Sequence, residues 1–174
     1  MDFDDTVYKN TVVLVDENDV VVGSADKLDA HEKGLLHRAV SVYITSGDYV
    51  LIQKRAVQKY HSGDLWSNAA CTHPRLNESN ADAAERALYE ELRLKTPLIY
   101  KGSFLYKAHV GDLIEHEFDH VFIGHLLEKK DIVPNPDEAS EVDWIQRDNL
   151  ALRLKQNPHE YTPWFQGVLE TVKG

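Results

Sequence analysis

The stretch from Ile114 to Phe122, IEHEFDHVF, alternates so regularly that an extended strand is the one element able to sort its side chains. Neighbours two apart on a strand share a face. Glu115, Glu117 and Asp119 therefore fall together, with Ile114, His116, Phe118, His120 and Phe122 opposite. Three carboxylates in a row repel one another unless water or a cation lies among them. A solvated face is ordinary for an antiparallel sheet. Two histidines among the apolar set blur that division, however, and mixed imidazole and carboxylate suits a borderline divalent ion such as Zn²⁺ or Mn²⁺. Both readings stand from this segment alone.

The rest of the chain supplies a scaffold of mixed type. TVVLVD and VVVG flank the turn residues Glu17-Asn18-Asp19, and β-rich runs at Ala39–Thr45 and Tyr49–Lys54 flank Ser46-Gly47-Asp48, a hairpin pattern. Leu65 to Cys71 reads as one strand stopped by Pro74. Ser79 and Asp82 form a shortened capping box, and Ala84, Leu88 and Leu92 follow on one stripe. The spacing predicts a helix from about Asn80 to Arg93, with Pro97 barring its continuation. Strands follow at 99–107, 115–126 and 141–146, then helix-like stretches from Arg147, broken at Pro158 and Pro163. Strands with helices inserted and appended indicate an α/β (α+β) class, mixed β-sheets sandwiched by helices.

The 174 residues, 43 % hydrophobic and 28 % charged, suit one domain, residues 1–174, with a core of its own. A net charge of −10 without a Lys/Arg cluster argues against nucleic acid as a partner, because neutralising phosphates needs a basic face. It leaves room for a small anion held by a few local cations. No apolar run approaches the roughly 20 residues of a membrane span. The opening MDFDDTVYKN lacks the order of a secretory signal, so a cytoplasmic protein is expected. The sequence carries no signal for oligomeric state.

Four further features bear on chemistry. His31 and His37 lie close together in AHEKGLLHRA, read as a loop entering a strand. Cys71 is the sole cysteine, which excludes an intrachain disulfide. Its plain reading is a small buried hydrophobe; on a strand it would share a face with His73. Glu78, Arg86, Glu90 and Glu91 follow the order E-x7-R-x3-E-E, with Glu90 spaced to pair with Arg86. Glu91 sits beside the apolar stripe, where a carboxylate is costly unless paired or metal-bound.

Together these residues resemble the Nudix superfamily, and more closely its type I isopentenyl-diphosphate isomerase branch. The Nudix box, G-x5-E-x7-R-E-U-x-E-E-x-G-U, aligns from Thr72 to Leu94. It departs at Thr72 for Gly, Ala87 for Glu and Arg93 for Gly, which favours the fold over the hydrolase activity. The isomerase resemblance runs from about Val12 to Leu169, through AHEKGLLHRA, QKRAVQKYHSGDLWSN, CTHP, EHEFDHVF and YTPWF. It implies a Nudix-like fold and the interconversion of isopentenyl and dimethylallyl diphosphate. His31, His37, His73, Glu115 and Glu117 match the family's metal ligands, for Mn²⁺ or Zn²⁺. Cys71 and Glu117 match its catalytic pair, and Tyr106 and Trp164 its active-site aromatics. Lys27, Arg55 and Lys59 match basic residues near the diphosphate, and Glu91 a ligand of the accompanying Mg²⁺. Ala87 stands where the family often has a second basic residue, so a diphosphate contact is lost or supplied elsewhere, by Arg75 or Arg93. The alternative activity is that of a Nudix pyrophosphohydrolase acting on a nucleoside or prenyl diphosphate.

Overall fold

A computed structural model describes residues 9–174; most of the acidic opening segment lies outside them. The hairpin expected at Gly47-Asp48 joins β3 (His37–Ser46) to β4 (Tyr49–Arg55), with Ser46 opposite Tyr49. β3 is the hub of a nine-stranded mixed sheet. Along one edge it runs parallel to β8 (Leu113–His125), from His37 opposite Glu117 to Thr45 opposite His125. Its other edge is shared in turn by β1 (Thr11–Val15), β6 (Ala70–Thr72) and β4. β2 (Val21–Asp26) pairs with β1, and β7 (Ile99–Val110) with β8. β5 (Trp66–Ser67) and β9 (Ala139–Gln146) flank β4.

Alternation along the central strands gives the sheet two apolar faces. Val40, Val42, Ile44 and Phe122 pack with Ala83, Ala84, Ala87 and Leu88 of α2 (Asn80–Leu92). Tyr43, Val50, Ile52 and Val121 pack on the other side with Leu150 and Leu154 of α3 (Arg147–Gln156) and with Phe165, Val168 and Leu169 of α4 (Phe165–Lys173). Each fully buried aliphatic side chain contributes roughly 1.5–3 kcal/mol, so the two layers fix where the strands lie. The α+β sandwich expected from the element order is what forms. None of the described helices is long and apolar enough to cross a membrane.

The helix predicted from Asn80 is present. Ser79 Oγ accepts from Asp82 N–H at 3.0 Å, and its hydroxyl donates to the Asp82 carboxylate at 2.7 Å. The shorter Asp thus bonds the cap side chain instead of reaching back to its backbone. The helix stops at Arg93, whose φ of 54° is the left-handed cap where the Nudix box has glycine.

Two expectations need correction, and the fold decides a third point that the sequence left open. His31 is not in a loop: it lies in α1 (Lys27–Lys33), capped by Asp26 and ended by Gly34 at φ 65°. Seven residues are too few to show helical periodicity, and only the caps announce them. The single strand expected over 65–71 is two, β5 on β4 and β6 on β3. Buried Asn68 breaks the run, donating to the carbonyls of Val42 and Ala70 at 3.1 and 2.9 Å. Finally, the acidic face of β8 is not the wet one. Glu115, Glu117 and Asp119 are 1 %, 5 % and 2 % exposed, whereas Ile114, His116 and Phe118 opposite are half-buried.

Candidate active site

β8 and its two neighbours place the functional groups. Parallel pairing sets His37 of β3 beside Glu117, and antiparallel pairing sets Tyr106 of β7 on its other flank. His31 comes from the end of α1, and His73 from the turn just after β6. The three imidazole rings stand 4.8, 4.9 and 5.6 Å apart between centroids. His31 Nε2 is 3.1 Å from Glu115 Oε1; His37 Nε2 and His73 Nε2 are 3.2 and 2.7 Å from Glu117 Oε2. Tyr106 donates to Glu117 and, at 3.0 Å, to Glu115.

The hydrogen bonds on the far side of the rings decide what this cluster can hold. His31 Nδ1 lies 2.6 Å from the Lys27 carbonyl, and His37 Nδ1 lies 2.8 Å from that of Leu35. A carbonyl only accepts, so each ring places a proton on Nδ1 and a neutral ring has a bare Nε2. Those bare nitrogens face carboxylate oxygens, acceptor against acceptor. Buried His37 Nε2 makes no hydrogen bond. A cation between them resolves the conflict, and three imidazoles with two carboxylates are a fitting donor set for Mn²⁺ or Zn²⁺. Potential ligand atoms lie within 4.8 Å of one another in each of three groups: His31, His37 and His73; His31, His61 and Glu115; and His37, Glu115 and Glu117. Nδ1 bonds to carbonyls are the usual way that metal-binding histidines are oriented.

Charge shifts follow from the same crowding. Burial pushes the Glu117 carboxyl up, but its close neighbours Glu115, His37 and Tyr106 outweigh it and hold the carboxyl below its ordinary range. Burial and then Glu117 raise Asp119 well above its own. The Cys71 thiol is pushed up to about 12, first by burial and then by Glu91 and Asp119. It is therefore a neutral thiol at physiological pH. Trp164 Nε1 donates to Cys71 Sγ at 3.2 Å and to Asn68 Oδ1 at 3.1 Å, and the thiol donates to Asn68 Oδ1 at 3.3 Å.

Cys71, Glu117 and Trp164 line one cavity, whose wall also carries Lys27, Arg55 and Lys59. Burial, then the charges of Lys59 and Arg55, lower the ammonium of Lys27 below its ordinary pKa. Arg55 stacks its guanidinium over Trp164 at 5.2 Å and leaves its buried Nε unpartnered. Cations crowded in this way suit an anion. Glu91 reaches the same cavity from α2, where burial and then Glu138 raise its carboxyl to about 8. Gln53 donates to it at 2.8 Å and the Cys71 backbone N–H at 3.3 Å. The residues singled out from the sequence thus converge on one pocket and its floor.

Some participants were missed. His61 reaches Glu115, Ser41 donates to Asp119 at 2.7 Å, and Asn68 holds the thiol and the indole together. Ser41 carries no local signal that separates it from an ordinary strand residue. His61 and Asn68 both lie within the segment QKRAVQKYHSGDLWSN that carries the resemblance, the one signal that could have found them. At position 87, the missing cation leaves an alanine packed in the α2 core that also lines the cavity.

The fold and the carboxylate-bearing α2 define a NUDIX-domain protein, and the NUDIX domain family matches residues 35–165. Solved structures agree on the fold. One from Deinococcus radiodurans superposes with a TM-score of 0.73 at 20 % identity, covering 94 % of this chain and 97 % of that one. A MutT protein from Methanosarcina mazei gives 0.64 at 16 %, covering 79 % and 93 %. Sequence relatives narrow the assignment. Isopentenyl-diphosphate Delta-isomerase 2 of Aromatoleum aromaticum is 45 % identical over 94 % of this chain and 87 % of its own. Its namesake in Photorhabdus laumondii is 44 % identical over 91 % and 89 %. The chain belongs to the isopentenyl-diphosphate Delta-isomerase family of NUDIX-domain proteins.

Proposed function

We propose that this protein interconverts isopentenyl diphosphate and dimethylallyl diphosphate, adding a proton at one carbon and removing one at another. The observation that carries the reading is geometric: the Cys71 thiol and the Glu117 carboxyl line one cavity beside the Trp164 indole. An alkene is a weak base, so its protonation requires a well-placed acid, and collapse of the tertiary carbocation requires a base at the neighbouring carbon. Because the reaction is reversible, the group that donates in one direction accepts in the other. Tyr106 fixes the orientation of Glu117. The Trp164 ring faces the cationic carbon, an attraction of roughly 2 kcal/mol or more in a dry site, and helps exclude the water that would trap the cation as an alcohol.

Lys27, Arg55 and Lys59 bind the diphosphate oxygens. When held by His31, His37, His73, Glu115 and Glu117, a Mn²⁺ or Zn²⁺ ion supplies the positive charge that sets the proton affinity of Glu117. Glu91 would hold the Mg²⁺ that arrives with the substrate, and that ion would supply positive charge to the diphosphate, in keeping with its preference for oxygen ligands. The partner is a small prenyl diphosphate, with neither nucleic acid nor membrane in the reaction. We place the reaction in the cytoplasm, in one domain spanning residues 1–174.

The test is to incubate the protein with isopentenyl diphosphate and divalent metal while following both dimethylallyl diphosphate and released phosphate. Allylic product without phosphate is expected. Phosphate without allylic product would establish a NUDIX pyrophosphohydrolase instead and overturn the proposal.

A further inference from the structure

We propose that His61 is a positioning residue of the metal centre, holding Glu115 in place for the ion without ligating it. The inference rests on the metal site of the preceding section. His61 is buried and its Nε2 contacts the same Glu115 Oε1 that faces His31. The two histidines differ in what lies behind them. His31 has a carbonyl at Nδ1, which fixes its proton there and leaves Nε2 as a lone pair for an ion. His61 has instead the Ser62 hydroxyl at Nδ1, 3.0 Å away. A hydroxyl can donate, so His61 can keep Nδ1 bare and carry its proton on Nε2. That tautomer is the one a carboxylate, which only accepts, requires of its neighbour. His31 is thus arranged as a ligand and His61 as a donor to a ligand.

The chain goes to some length to put His61 there. Ser62 and Asp64 adopt φ of 53° and 63°, a left-handed conformation unusual for residues with a side chain. A Cβ on Gly63 between them would stand 2.6 Å from the Val57 carbonyl oxygen, so only glycine fits. Arg55 Nη2 donates to the His61 carbonyl at 3.3 Å. The ring then meets Trp164 edge to face, with centroids 6.0 Å apart at 89°, and Tyr60 at 4.3 Å and 79°. His61 therefore touches both the carboxylate floor and the aromatic wall. Donors to metal-binding carboxylates commonly affect metal affinity by about 10–100-fold.

The experiment uses the full chain, freed of metal by chelator dialysis and titrated with Mn²⁺ or Zn²⁺ against a chromogenic chelator. His61→Gln keeps an N–H at the reach of Nε2; His61→Asn is too short to bring one there; His61→Phe keeps the ring against Trp164 but has no donor. Asn and Phe should bind metal about 10–100-fold more weakly than wild type, with Gln recovering most of the loss. Thermal melts and Trp emission run beside the titration to show that the variants are folded. Should Phe fail to fold, Gln against Asn still decides the point. Equal metal affinity in wild type and Asn overturns the role of His61, as does a Gln variant that falls as far as Asn while melting like wild type. A wild-type protein that takes up no divalent ion overturns the metal centre itself, a separate failure.

Discussion

Two acid-rich regions of this molecule look alike in the sequence and do opposite things in the fold. In the NUDIX helix region Arg86 matches its acids: it donates to Glu78 at 2.7 and 2.9 Å and to Glu90 at 3.3 Å. Glu78 also accepts from Arg75 N–H at 2.8 Å, and Arg86 donates to the His73 carbonyl at 3.1 Å. That charge is internally spent, and its product is a clamped turn leading into the helix. On β8 the acids are buried deeper, yet among the described residues neither lysine nor arginine forms an ion pair with Glu115, Glu117 or Asp119; imidazoles face the two glutamates. Unmatched buried charge is costly, and a fold that retains it has a capacity left to hold a cation. Of the NUDIX acids, Glu78 and Glu90 are matched by Arg86 and only Glu91 reaches the cavity, whereas the two glutamates of β8 face imidazoles.

Breaking that contrast has graded effects. Cys71→Ala should lower turnover by about 10²–10⁴-fold, the usual worth of a positioned proton-transfer group, while metal uptake and the thermal melt stay those of wild type. Retained turnover would remove the thiol from the reaction. Glu117→Gln should reduce metal affinity by at least about 10-fold together with the rate. Full metal occupancy and normal activity, by metal analysis and assay, would contradict both of its roles.

The helix-side variants should instead report in stability. Glu78→Gln should lower the free energy of unfolding by about 1.5–3 kcal/mol, as for a charged hydrogen bond, and disturb turnover far less than Cys71→Ala does. Denaturant titration beside an assay separates the two. This loss should depend on pH. Burial pushes the Glu78 carboxyl up, but the Arg86 bond outweighs it and holds the folded pKa below the ordinary 4.5. The native state then binds fewer protons than the unfolded one, so the contribution is full above about pH 4.5 and fades as pH falls through the folded value. The gap between wild type and Glu78→Gln should close on acidification; a gap that widens would reverse the assignment. The smallest effect is expected from Ser79→Ala, about 1 kcal/mol for loss of the helix cap.

What the sequence disclosed was governed by distance along the chain. The helix from Asn80 was legible because its cap, stripe and stop all lie within it. The alternation of β8 was legible for the same reason, as was the Cys-x-His-Pro turn. Which face of β8 is buried depends on β3, eighty residues away, and on helices later still, so local pattern favoured the wrong face as readily as the right one. His31 was found as a candidate while its helix was not, because chemistry can be read from one residue and a seven-residue helix cannot be read from periodicity. His61 stayed hidden because what distinguishes it from His31 is the group behind the ring, a Ser62 hydroxyl rather than a carbonyl, which only the fold reveals.

The parallel register of β3 with β8 also bears on how the molecule is made. The contact of His37 with Glu117 closes a long loop, and contacts of that range are costly in entropy and slow to form. Until it closes, the imidazoles and carboxylates are scattered along a chain with no shared focus. A metal ion therefore cannot nucleate this protein in the way zinc nucleates a small finger. Bound at the finished site, an ion would instead stabilise the molecule by mass action, a late inspector of assembly.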